Sequence, residues 1–357
     1  MNRIIIYSRL LSVFIFAVSS SVFAQTFGEA VNYPAGNGPR SVYSVDLNGD
    51  CYRDLAVANH NSDNVSIFLN NGDGTFQAAI NYGAPNAPQS IFSADLDADN
   101  DSDLVTANYF DNVSVLLNNG DGTFDSAVNY NAGNAPRSVF AIDLDGDSDN
   151  DLAVANFYSD NVSILLNNGN GTFQTAVSYG AGDGPYSVYS DDLDEDTDND
   201  LAVANAEADS VSILLNNSDG IFQLVGSYSV GDMPMSVFLI DLNGNQNSDM
   251  VLTNANSNNI SVLLNNSDGT FQPAENHGTG EQPYSVFSAD FNGDSLSDLA
   301  IANNISNNVS VLINLGSSED IPTLSEWGML IMGLLLLAAG TVAVIRRRNA
   351  ISEKACG

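Results

Sequence analysis

Asp143-Leu144-Asp145-Gly146-Asp147-Ser148-Asp149-Asn150-Asp151 places a carboxylate at every second position of a nine-residue stretch, and the apolar run Leu152-Ala153-Val154-Ala155 follows at once. Carboxylates packed this densely repel one another, so the stretch reads as a loop that needs a cation. The same pattern starts at Asp46, Asp95, Asp192, Asp241 and Asp290, at intervals of 48 or 49 residues. A fixed interval of that length marks one supersecondary unit used repeatedly, each unit burying its apolar face against the next.

Each unit reads as four short strands. In the first unit these are Ser41 to Val45, Leu55 to Ala58, Val65 to Leu69 and Phe76 to Tyr82, with the acidic loop after the first and the turn Asn70-Asn71-Gly72-Asp73-Gly74 after the third. Four antiparallel strands repeated radially are the blades of a propeller. The expected fold is therefore all-β, a six-bladed β-propeller of four-stranded antiparallel blades. First strands start at Ser41, Ser90, Ser138, Ser187, Ser236 and Ser285, whereas fourth strands start at Thr26, Thr75, Thr123, Thr172, Ile221 and Thr270, one step out of phase. The last unit thus ends after its third strand, Val309 to Ile313, and the N-terminal strand Phe27 to Tyr33 is expected to close the ring by covering that edge.

The two ends read differently from the body. Residues 1–24 have the form of a secretory signal peptide, with Arg3 and Arg9 before the apolar run Leu10 to Val18 and small residues at Val22-Phe23-Ala24. Residues 25–315 form the repeat body, 316–326 a linker with a short motif, 327–345 a Leu-rich apolar stretch and 346–357 a basic tail opening on Arg346-Arg347-Arg348. The apolar stretch would reach about 28 Å as a helix, long enough for a transmembrane helix with its basic end in the cytoplasm.

The chain holds 44 acidic and 9 basic residues. Only Glu326 and Glu353 of the acids lie outside residues 25–321, a stretch whose basic residues are Arg40, Arg53 and Arg137. A body this acidic has no basic patch to displace counterions, which excludes nucleic acid as a partner. Self-repulsion on this scale also opposes a compact fold unless bound ions neutralise it. The cysteines, Cys51 in the first acidic loop and Cys356 beyond the apolar stretch, offer no disulfide framework.

Oxygen ligands at loop positions 1, 3, 5 and 9, with a backbone carbonyl at 7, suit the six to eight oxygens of Ca²⁺ better than Mg²⁺ or Zn²⁺. An EF-hand is excluded, because position 12 is Val57, Thr106, Val154, Val203, Leu252 or Ile301 and a strand follows. Ligand charge sets affinity. The loops at Asp95, Asp143 and Asp192 are richest in acid, and the fifth, with amides at Asn243 and Asn245, is expected to be weakest.

The unit made of an Asp-rich loop, an Ala-Val-Ala-Asn strand and an Asn-Asn-Gly-Asp-Gly-Thr-Phe turn resembles the FG-GAP/VCBS repeats of integrin-type propellers over about residues 26–315. The resemblance implies calcium loops that stiffen one face of the blades. It implicates Asp46, Asn48, Asp50 and Asp54; Asp95, Asp97, Asp99 and Asp103; Asp143, Asp145, Asp147 and Asp151; Asp192, Asp194, Asp196 and Asp200; Asp241, Asn243, Asn245 and Asp249; and Asp290, Asn292, Asp294 and Asp298. The C-terminal segment resembles IPTL-type relatives of PEP-CTERM sorting signals through Ile321, Pro322, Thr323, Leu324, Trp327 and Gly328. That resemblance implies processing by an exosortase-like membrane transpeptidase and display at the cell surface or matrix of a Gram-negative bacterium.

If acidic loops and Asn-Gly turns share one face, the other is built from the remaining loops, and there the units differ. Arg40, Gln89, Arg137, Tyr186, Met235 and Tyr284 follow the loop prolines, and His60, Tyr109-Phe110 and Phe157-Tyr158 lie nearby. Adjacent aromatics offer a platform for a glycan or an extracellular protein. His60 and His277 are the only histidines and assemble no nucleophilic triad, so binding or adhesion is expected. The rival reading is a secreted polysaccharide hydrolase or lyase using loop acids such as Asp111, Glu207 or Glu281.

Overall fold

The structure is a computed structural model that describes residues 31–316. The chain divides into two compact units, Met1–Tyr33 and Pro34–Gly357. Of the first, residues 31–33 are described and carry no strand. The expected signal segment, most of the Phe27–Tyr33 strand, the sorting motif, the membrane span and the basic tail lie outside the described residues. Among the described residues no helix is long and apolar enough to cross a membrane.

The second unit is an all-β, six-bladed propeller whose sheets run in chain order as antiparallel meanders. The blades occupy residues 39–83, 88–131, 136–180, 185–229, 234–278 and 283–312. Blade 3 shows the pattern, with strands Pro136–Ile142, Asp151–Asn156, Asn161–Leu165 and Val177–Gly180. Its second strand is buried along its whole length, in keeping with small and branched apolar side chains on both faces. Five blades have four strands; the sixth has three among the described residues.

The fourth strand departs from expectation. Phe76 to Tyr82 reads as one strand in the sequence, but the structure has a single bridge, Asn70 to Phe76, and then the strand Ile80–Gly83. One extra residue on the outer strand breaks the ladder between them, as a bulge does. In blade 4 the same extra residue is absorbed within a continuous strand, Phe222–Ser229, at the register shift between Ile213 and Leu214.

The core lies between blades. Each interface joins the second and third strands of one blade to the first two of the next, and at the first four a phenylalanine from the following turn seals it: Phe124, Phe173, Phe222 and Phe271. Around the channel the rings of Tyr43, Phe92, Phe140, Tyr189, Phe238 and Phe287 touch in succession, with centroids 4.6 to 6.4 Å apart. Between blades 6 and 1 the described residues leave the matching positions open: Val42 is 61% and Val309 63% exposed, where the equivalent Val139 and Val162 are buried.

Five of the asparagines also rivet one blade to the next, a role the sequence does not show, since it offers them only as turn residues. Asn167 donates Nδ2 to Leu96 O of the preceding acidic loop at 2.8 Å and to Asn150 O of its own at 2.9 Å. Its N–H donates to Asp151, and its Oδ1 accepts from Gly169 N. Asn118, Asn216, Asn265 and Asn314 repeat the bond to the preceding loop, at 2.7 to 3.0 Å. An Asn167→Ala change strands buried carbonyls at one interface and should cost about 2–4 kcal/mol, read as a lower urea midpoint for the full chain.

Candidate metal centres and the opposite loop face

Each acidic loop is wound by its own backbone. In the third, Asp143 accepts from Gly146 N at 2.8 Å and Ser148 N at 2.9 Å, and Asp147 accepts from Asp149 N at 2.9 Å. Positions 4 and 6 take positive φ in every loop, including non-glycine residues such as Ala98 (65°) and Glu195 (65°). That strain is tolerated where the winding serves a site.

Asp151, at position 9, has no exposed surface and accepts from Leu144 N at 2.8 Å and Asn167 N at 2.7 Å. It ties the loop to the Asn-Gly turn, which places both on one face as expected. Position 7 turns its side chain away from the loop: Tyr52 lies against Gly72, Asp101 against Gly120, and Asp198 accepts from Ser218 Oγ. A Cβ at Gly120 would stand 2.4 Å from Asp101 Oδ2, so these pairs are fitted to each other.

Position 3 differs among loops. In the second, third and fourth, one oxygen each of Asp97, Asp145 and Asp194 is buried without a hydrogen-bond partner. In those loops carboxylate oxygens gather within 4.8 Å of one another: Asp95, Asp97 and Asp99; Asp143, Asp145 and Asp151; Asp192, Asp194 and Asp200. Burial, then the charge of the neighbouring position 5 carboxylate, holds Asp97, Asp145 and Asp194 above the usual range. Burial pushes Asp103, Asp151 and Asp200 up to about 7. Unpartnered, crowded and desolvated anions of this kind are what a hard cation neutralises.

The other three loops carry asparagine at position 3. Asn48 donates Nδ2 to Asp50, Asn292 to Asp294, and Asn243 approaches Asp249 at 3.5 Å, so the amide spends its donor inside the loop. No comparable trio of acids forms there among the described residues. The three loops in which acids gather are those richest in carboxylate in the sequence, at Asp95, Asp143 and Asp192.

On the other face, paired backbone bonds hold each loop between the second and third strands to the loop between blades. Tyr109 N donates to Ala87 O and Phe110 N to Asn86 O; Phe157 and Tyr158 do the same to Ala135 and Asn134, and Ala206 and Glu207 to Gly184 and Asp183. The backbone is common, and the side chains it carries are not. Tyr109 meets Tyr158 across the blades with centroids 6.4 Å apart, and Phe110 and Tyr158 are 59% and 57% exposed. Met235 is buried. Asp111 is a turn residue with φ 68° whose carboxylate accepts from Ala135 N at 3.4 Å. The Asn-Val-Ser triplets are scaffold: Asn161 and Ser163 accept from buried Asn156.

Repeated antiparallel blades with an acidic loop in every unit define a β-propeller with clustered carboxylates that could hold a metal ion. The FG-GAP-like repeat family matches residues 46–106, 95–154, 143–203, 192–252 and 241–301, and the IPTL-CTERM motif matches 321–349. The chain belongs to the FG-GAP repeat family and carries that C-terminal motif. Repeats and sorting motif together suggest an exported, cell-surface protein. A comparison with curated protein sequences found no match.

Among solved structures the chain is similar to an Agrocybe aegerita lectin that recognises non-reducing terminal N-acetylglucosamine, at 23% identity and a TM-score of 0.51, over 77% of this chain and 80% of that one. It is also similar to a 6-phosphogluconolactonase assigned in Bacteroides uniformis, at 14% identity and a TM-score of 0.61, over 78% and 82%. A periplasmic gluconolactonase of Pseudomonas aeruginosa gives 16% and 0.57, over 78% and 86%. These likenesses concern the fold.

Proposed function

We propose that this chain is a calcium-stabilised binding propeller, exported through residues 1–24 and displayed at the surface or in the matrix of a Gram-negative bacterium after sorting through its IPTL-type signal. The observation that carries the binding role is the contrast between the two faces. On one, six units repeat the same loop; on the other, an equally uniform backbone presents unlike side chains, with exposed aromatics on adjacent blades. A scaffold held constant while its tips vary is how rigid repeat folds present a ligand surface.

In this reading the position 1, 3, 5 and 9 oxygens hold Ca²⁺. Residues 327–345 anchor the body until an exosortase-like enzyme acts near 321–328. Binding rather than catalysis is favoured because Asp111, one acid open to a glycosidase role, is engaged in a turn. The test is a glycan and matrix-protein screen of the purified full chain, with calcium and with chelator. Saturable binding without release of reducing ends is expected; turnover of a polysaccharide would replace this reading with an enzymatic one.

A further inference from the structure

Arg137 stands at the start of the first strand of blade 3, on the loop face opposite the acidic loops. Its guanidinium lies 5.1 Å from the Tyr109 ring, 5.0 Å from Phe157 and 5.5 Å from Tyr186, so three blades surround it with aromatic faces. In a body so rich in carboxylates it forms no ion pair among the described residues. Its Nη1 donates to Gln89 Oε1 at 3.4 Å, and Gln89 is in turn held by His60 Nδ1 at 2.7 Å. Nε is buried without an acceptor, and Nη2 has no hydrogen bond among the described residues.

Aromatic faces attract a guanidinium from above and below its plane and leave its in-plane donors unused. Nη2, unpaired and not buried, is the donor left open to a carboxylate oxygen, with the positive charge of the guanidinium behind it. Arg40 and Arg137 both act electrostatically on the Tyr186 hydroxyl, so two of the body's three arginines bear on this point; the third, Arg53, is engaged with Ser44 O. Glu207 acts on nearby Tyr158 but does not pair with Arg137. Phe110 and Tyr158 stand exposed beside the cluster, and an apolar sugar face stacks on such rings.

We propose that this channel mouth binds a carboxylate-bearing sugar, its carboxylate on Nη2 of Arg137 and its ring against Tyr158 or Phe110. The inference rests on the reading of this face as the ligand face and adds the ligand's chemistry. Tri-galacturonate and its carboxyl-reduced counterpart, and sialyllactose with lactose, are titrated into the full chain in calcium by calorimetry. The acidic member of at least one pair should bind at least about tenfold tighter than its neutral partner, and which pair responds separates uronate from sialate.

Arg137→Met, which keeps the stem but no donors, should lose that preference, a loss of about 10- to 100-fold for one charged hydrogen-bonded contact. It also separates this site from calcium bridging at the acidic loops, which the change does not touch. Tyr158→Ala, at an exposed side chain, should weaken acidic and neutral sugars alike and covers the case in which Arg137→Met fails to fold. Equal affinity for acidic and neutral members, or an unchanged preference in Arg137→Met, overturns the inference while leaving the face as a binding surface. Absence of saccharide binding, together with no effect of Tyr158→Ala on any ligand found in the wider screen, overturns both.

Discussion

Chelation of divalent ions should lower the melting temperature of the full chain by roughly 15 °C relative to 10 mM calcium. If the three middle loops bind with constants near 10⁻⁴ M, that concentration contributes about 2.7 kcal/mol per site, or about 8 kcal/mol together. For a body of this size each kcal/mol moves the midpoint by about 2 °C. The effect should also depend on pH in a direction the loop carboxylates dictate. Without metal, Asp103, Asp151 and Asp200 have folded-state values raised to about 7, against roughly 3.9 when unfolded. The folded state then holds more protons, so the chelated protein loses stability as pH rises from about 4 to about 7 and levels off above. Calcium requires the ionised form, so its stabilisation grows over the same interval. The gap between calcium and chelator melts should be wider at pH 8 than at pH 5. An identical melt with and without metal at both pH values would remove calcium from the account.

Two aspartates of one loop should fail in different ways. Asp151→Ala removes the acceptor of two buried N–H groups, Leu144 and Asn167, and should cost about 2–6 kcal/mol even in chelator, with a further loss in calcium because position 9 is also a candidate ligand. Asp145→Ala removes a carboxylate with a buried, unpartnered oxygen. It should weaken one calcium site, lowering stability by about 1–3 kcal/mol when metal is present, and leave the chelated protein as stable as before or slightly more so. Paired denaturant titrations of the two variants, with and without calcium, provide the comparison. Equal losses under both conditions for Asp145→Ala would mean that its role is packing rather than cation binding.

The difference between those aspartates shows how far a repeated pattern can be read. The sequence by itself determined the unit and its number, since six Asp-rich loops at near-constant intervals leave one way to divide the body, and alternation and turn residues give the strands between them. It also determined which loops are richest in carboxylate, because that is a property of nine consecutive residues. These are local matters, encoded by neighbours in the chain.

Only the tertiary structure decided what joins one unit to another. Asn167 reaches a carbonyl 71 positions away, position 9 proves to be a brace for two backbone segments as well as a candidate ligand, and the asparagine-bearing loops turn their amides inward. Arg137 gains its meaning from rings on three blades, Tyr109, Phe157 and Tyr186, far apart along the chain. Such contacts depend on the angle and stagger at which blades pack. Those follow from the fit of whole apolar faces against one another, not from the order of residues along any single strand.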